Sequence, residues 1–374
     1  MRAASLYIIL FLLVATSCKQ TYLPPAIAHP PNYLVVEGNI ETNGTDTTTF
    51  TLSRTVKLDS NAFVPETGAA VTVEGTDNSS YPLADSGNGA YRAPLTSLNP
   101  NVSYRLHIVT SAGKQYASDY VLLVKNPSID SITWARVQAN GRDGVQIYAN
   151  THDPKNNTHY YRWDYQEVWQ FHSKHEEIGR YTPGLGIHSV LDLNNYVCWH
   201  YQRSTDIVLT SDTQLGQDIV YNAPIVFIPN GSQQFQVRYS ILVKQYALTK
   251  DAFAWWQMLQ KNTEDLGSIF GVLPSANRGN IHCLTDTAES VLGYVGGTNT
   301  HSQRIFITND QAQPWQFNWD CDDTKSKNAV EILDLAMGGY LIWQVNRSDG
   351  YTYLAYKTCI DCTLTGVNVK PSFW

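Results

Sequence analysis

The segment KTCIDCTLTGVNVKPSFW places Cys359 and Cys362 in a C-x-x-C, a spacing open to three kinds of chemistry. A thioredoxin-type redox pair needs the motif at the start of a helix that follows a strand. Thr-Leu-Thr-Gly follows it here, in a strand-rich context that argues against that use. A zinc knuckle needs a second pair of ligands, for which Cys321, or Cys283 with His282, would have to serve. Disulfide bonding is the third use, and it depends on an oxidising compartment.

Other candidates are weaker. His172-Ser-Lys-His175-Glu-Glu offers two imidazoles at i, i+3 beside carboxylates. A metalloprotease helix would carry H-E-x-x-H, and Ser173 follows the first histidine, so the run reads as a solvated polar loop. His152, His159, His188, His200, His282 and His301 stand singly, which suits structural or surface roles, and no metal site is expected. Glu167 sits among aromatics in YQEVWQF, where burial would raise its pKa and suit it to acid catalysis. An ion pair with Arg162 or Arg203 is the commoner arrangement. There is no G-x-S-x-G elbow, and GGTNT at Gly296 lacks the Lys of a phosphate loop. No catalytic residue and no cofactor is therefore assigned, and the chain reads as non-enzymatic.

The tryptophans carry the strongest binding signal. Trp163, Trp169, Trp199, Trp255, Trp256, Trp315, Trp319 and Trp343 fall within the second half of the fold. Exposed rings give glycan or peptide binders affinity at small entropic cost. Adjacent helical positions lie about 100° apart, so one of Trp255 and Trp256 is expected inward and the other free for contact. Trp169, Trp255, Trp256 and Glu167 are the binding candidates.

The elements that must position these residues are mainly β. YLVVEGNI, TTTFTLSRTV, AAVTVEG, GAYRAPL, SYRLHIVT and KQYASDYVLLV alternate with period two, separated by turn sequences including Asn43-Gly44. Residues 33–125 therefore read as a β-sandwich, similar to transthyretin-like or Ig-like modules. Asn126-Pro127 marks a junction. Residues 126–374 read as a larger β-rich domain, with strands in GVQIYANTHD, HYYRWDYQEVWQF, DIVYNAPIVFI, QQFQVRYSILVKQYAL, GNIHCL, ESVLGYVGGT and SQRIFIT. One stretch changes period: TKDAFAWWQMLQKNTEDLGSIFG predicts an amphipathic helix near 250–270, with Thr249 as N-cap and Gly271 as C-cap. AVEILDLAM reads as a second, short helix.

Residues 1–17 read as a secretory signal peptide: Arg2, an apolar run over Leu6–Ala15, then small residues. The run falls short of the roughly 20 residues a membrane-spanning helix requires. Cys18 after Thr-Ser resembles the lipobox of bacterial lipoproteins, with Ala15 where Leu is usual, and implies an acylated cysteine. Residues 18–32 then form a Pro-rich tether. In an exported protein Cys198, Cys283, Cys321, Cys359 and Cys362 become disulfide candidates, enough for two bridges and one leftover. Their spacing does not choose the pairing. The C-terminal segment then reads as a disulfide-anchored clasp, with Phe373-Trp374 buried against the second domain. Aromatics make up 12% of the chain and charged residues only 16%, and the formal charge is −7, which argues against a nucleic-acid partner.

YYRWDYQEVWQF, GNIHCLTDTAESVLGYV, QRIFI and CIDCTLTGVNVKPSFW together resemble a Bacteroidetes lipoprotein family known as domain of unknown function 4249. The resemblance runs from about Tyr33 to Trp374. It implies an outer-membrane, lipid-anchored protein paired with a TonB-dependent, SusC-like transporter, with an accessory or ligand-capturing role in nutrient uptake. It brings no catalytic residues. Cell-surface display is expected, though CKQTYLPP lacks acidic residues after the cysteine, which leaves the periplasmic leaflet open. The rival readings are an exported hydrolase acting on glycan or peptide, and a structural scaffold or adhesion subunit.

Overall fold

The computed structural model describes residues 32–374 apart from 43–46, 57–59, 61, 97, 140, 191–193, 214–215 and 265–278. The signal segment, Cys18, the tether up to residue 31, the Asn43-Gly44 turn and Gly271 lie outside the described residues.

The fold is mainly β, as the alternating sequence predicts. Leu34–Glu41 and Thr48–Arg54 pair antiparallel and turn Leu34, Val36, Ile40, Phe50 and Leu52 inward. Their ladder continues through Ala90–Ala93, Ser80–Asp85, Ala70–Gly75, Tyr104–Val109 and Gln115–Ser118, and curls around a core that includes Tyr91, Tyr104, Leu106 and Tyr116.

This sheet is not built from its own stretch of chain alone. Ile281–Cys283 adds to Gln115–Ser118 at one end, and Val291–Gly293 and Gly297–Thr298 run parallel to Leu34–Glu41. Residues 281–298, assigned on sequence to the second domain, thus complete the first. Their side chains Ile281, Cys283, Val291 and Val295 are buried in its core. Glu289 ties the returning segment down: it accepts from Tyr116 at 2.7 Å, lies 3.7 Å from Arg54 and pairs with Lys114.

The second half is a sandwich of two sheets. Arg142–His152 runs between Ile129–Ala139 and Ile219–Pro229. Against it packs a sheet ordered Val197–Arg203, Tyr160–His172, Arg238–Ala247, His301–Thr308, with Val208–Ser211 also on Tyr160–His172. The odd positions of Tyr160–His172 face the shared core, placing Tyr161, Trp163, Tyr165, Trp169 and Phe171 against Ile147, Tyr239, Ile241 and Val243. Ile129–Ala139 begins two residues after Pro127, where the sequence suggested a plain junction. The junction is a hydrogen-bonded knot: buried Asn126 donates to the Gln245 carbonyl at 2.7 Å, and Gln245 Nε2 donates to Asn126 Oδ1 at 2.8 Å and to the Pro127 carbonyl at 2.7 Å.

Helix α1, Lys250–Glu264, follows the strand Arg238–Ala247. Thr249 caps it as expected, its hydroxyl accepting from the Ala252 amide at 3.2 Å. A third sheet, ordered Gly186–Ser189, Gly179–Thr182, Tyr340–Asn346, Tyr351–Tyr356, Asp323–Ser326, carries helix α2, Ala329–Met337, on which Asn328 accepts from the Val330 amide at 2.9 Å. No described helix is long and apolar enough to cross a membrane.

Candidate functional site

A cleft of about 990 Å³ opens where the two halves meet. The even positions of Tyr160–His172 form its floor, because side chains alternate across a strand and the odd ones are committed to the core. Arg162, Asp164 and Gln166 therefore point into it, beside Lys244 and Tyr246 from the neighbouring strand. The outer face of Leu34–Glu41 supplies Glu37, Asn39 and Glu41, and α1 supplies Trp255, Trp256 and Leu259.

Arg162 organises the aromatic wall. Its guanidinium stacks 4.4 Å above the Tyr246 ring and 4.3 Å above Trp256, and it bonds Asp164 at 3.1 Å. Its Nε is buried with no partner of its own. Trp255 meets Trp256 edge-on at 4.9 Å and Tyr294 at 5.8 Å. Helical spacing predicted one tryptophan inward and one free. Both are half-buried, because α1 lies in a seam and has a packing neighbour on two sides. The volume and the mix of rings and charges suit an organic ligand of oligosaccharide or short-peptide size.

The other expected binding residues are elsewhere. Trp169 is a core residue, stacked on His200 at 4.4 Å and donating to Gln233 at 3.0 Å. Glu167 is 2% exposed and accepts from Tyr239 at 2.9 Å. Burial raises its carboxyl pKa, against the lowering effect of the Tyr239 hydrogen bond. The expected ion pair with Arg162 does not form: five residues along a strand put the two side chains on opposite faces.

The His172–His175 run is not a solvated loop. It joins the second sandwich to the third sheet, and each ring is stacked: His172 on Tyr196 at 5.1 Å, His175 on Trp343 at 3.9 Å. His175 and Lys174 both hold Asp323, at 3.0 and 2.8 Å. Burial pushes the Asp323 carboxyl up, and these two partners outweigh it and leave the pKa low.

The C-x-x-C is split between two disulfides. Cys362 bonds Cys198, Cys359 bonds Cys321, and Cys283 stays a buried free thiol. The segment that follows adds to the sheet through two backbone bonds between Trp199 and Val367, at 2.7 and 2.9 Å. It has no strand of its own for Pro371 to end. Trp374 sits edge-on to Phe306 at 5.6 Å and is half-buried, while Phe373 is 40% exposed over Arg304, so neither terminal aromatic is fully buried as expected.

The sequence of residues 20–304 matches the family described as Domain of unknown function (DUF4249). The chain belongs to this family. The DUF4249 match covers the first sheet, its returning strands and most of the second sandwich, and stops short of the disulfide-anchored segment, one of the four stretches that carry the resemblance. No curated protein matches the chain. Among solved structures, a protein from Corynebacterium diphtheriae described as membrane-anchored aligns over 59% of this chain and 56% of its own, at 12% identity. Its TM-score of 0.19 carries no structural argument.

One cluster in this DUF4249 chain went unseen in the sequence. His159, Asp212 and Asp218 bring one ligand atom each to within 4.8 Å of one another. His159 precedes the strand that pairs Tyr160 with Ser211, so the same register sets it opposite Asp212, with Nδ1 to Oδ1 at 2.9 Å. Asp218 precedes Ile219–Pro229 of the facing sheet. No spacing rule links the three. Only knowledge of the strand register would have found them.

Proposed function

We propose that this chain is a lipid-anchored, non-enzymatic ligand-capturing subunit that serves a TonB-dependent, SusC-like transporter at a bacterial outer membrane. The observation that carries the ligand-capturing part is the cleft, with Trp255, Trp256 and Tyr246 gathered around Arg162 between two rigid sheets. Aromatic faces contribute affinity at low entropic cost, and the flanking Asp164, Lys244 and Glu37 supply orientation. The ligand class is a glycan or a peptide. Family membership and the Cys18 motif support the anchor, and the transporter partner is the inference built on them. Helix α2 supports a protein partner, since Val330, Leu333 and Met337 form an exposed apolar stripe along one side of it.

Two measurements test this reading. Titrating the purified soluble domain with oligosaccharide and peptide panels is expected to change tryptophan fluorescence, and Trp256→Ala is expected to weaken the hit at least tenfold. Pull-downs of the lipidated protein in mild detergent are expected to recover an outer-membrane transporter. A panel without a hit together with pull-downs that return no transporter would sink the proposal. Turnover of a panel member would favour the exported hydrolase instead.

A further inference from the structure

We infer that His159, Asp212 and Asp218 form a binding site for a divalent cation, structurally separate from the cleft. Asp212 and Asp218 are 3% and 2% exposed, and their carboxyl groups are close enough to perturb one another. Two carboxylates brought together in a poorly hydrated place repel, and they need a proton or a cation between them. Asp218 has donors: the Tyr161 hydroxyl at 2.8 Å and the Thr158 amide at 3.0 Å. Asp212 has His159 alone: its Oδ1 lies 2.9 Å from His159 Nδ1, and its Oδ2 is buried with no hydrogen-bond partner. Among the described residues no Lys or Arg forms an ion pair with either group, and His159 is the one basic side chain that does.

A cation satisfies all of this. Two donors bound at right angles to an ion about 2.1 Å away lie about 3 Å apart, close to the 2.9 Å between His159 Nδ1 and Asp212 Oδ1. The site is built on fixed elements. Asp218 is held by its amide donating to Asn156 Oδ1 at 2.6 Å, and the Asp153 amide donates to its carbonyl at 3.1 Å. His159 keeps 31% of its side chain exposed and leaves an approach from solvent. One imidazole with two carboxylates selects Mn²⁺ or Zn²⁺ over Ca²⁺, which prefers an all-oxygen set. Protein donors from both sheets of the second sandwich would make the ion a cross-link between them.

The test is metal binding to the whole soluble domain after chelation and dialysis. Mn²⁺ is followed by loss of its free-ion paramagnetic resonance signal, and Zn²⁺ and Ca²⁺ by calorimetry. One Mn²⁺ or Zn²⁺ per chain is expected, with Ca²⁺ at least tenfold weaker. His159→Ala and Asp212→Asn should each weaken Mn²⁺ at least tenfold. His159 is partly exposed, so its variant keeps the test usable if Asp212→Asn fails to fold. Absence of saturable binding at millimolar metal, or equal binding by wild type and His159→Ala, would overturn the site and leave a carboxyl pair held by a shared proton.

Discussion

Glu167 shows how much a single side chain depends on which face it takes. Read as sequence, it is an acid among aromatics with two arginines nearby. In the fold it is an acid sealed behind Tyr239, and the arginine that seemed its partner organises a cleft on the other side of the strand. Its raised pKa fixes the sign of a stability effect. A carboxyl whose folded pKa lies above its unfolded value adds stability that is fully present below the unfolded pKa and is lost as pH rises through the folded one. Glu167→Gln keeps an acceptor for Tyr239 and cannot ionise. Denaturant melts should show the variant more stable than wild type at neutral pH, with the gap closing in acid. Tyr239→Phe leaves the carboxyl without its donor and should cost about 1.5–3 kcal/mol at neutral pH. Strand and burial were legible here because aromatic alternation marks both. The partner was not, because nearness in sequence says nothing about face unless parity is counted.

Among the elements, the strand Tyr160–His172 does the most, with a core on one face, a cleft on the other and a carboxylate cluster at its start. The disulfide-anchored segment presses on its far end. A Cβ at Gly366 would lie 2.7 Å from the Phe171 ring and 2.9 Å from the Trp199 carbonyl. Gly366→Ala should therefore destabilise by about 1–3 kcal/mol, read from denaturant midpoints. The two bridges close loops of different size, with separations of 164 residues for Cys198–Cys362 and 38 for Cys321–Cys359. On chain entropy their removal should cost about 5 and about 4 kcal/mol, the longer loop losing more. Paired Cys→Ser variants compared by thermal denaturation decide the order. Sequence reading located these cysteines and left their pairing open, because pairing is a property of the finished packing.

At the scale of the molecule, the halves are interlocked. Period-two alternation identified GNIHCL and ESVLGYVGGT as strands, yet alternation reports that a segment is half-buried and is silent about which sheet it joins. Those strands belong to the first sheet, and the Asn126–Gln245 knot fixes the crossing between the halves. Cutting the chain at 125/126 should then yield no autonomous piece. The 33–125 fragment would lose its outer strands, and the 126–374 fragment would expose Ile281, Val291 and Val295. Calorimetry of the intact domain should give a single transition, and isolated 126–374 should bind a hydrophobic dye. Two separately folding fragments with native melting behaviour would contradict the interlock.

The parallel pairing of Leu34 with Val291 also sets a timetable. A chain that emerges amino end first offers Leu34–Glu41 early, and that strand must keep an unpaired edge until Val291 and Gly297 arrive. Closure of the first sheet is thus among the last events of synthesis, a non-local step of the kind that slows folding. Such a chain stays loose and threadable while most of its length is still being delivered. Nascent chains stalled at residue 260 should be protease-sensitive across residues 34–54, and released full-length chains should be protected there.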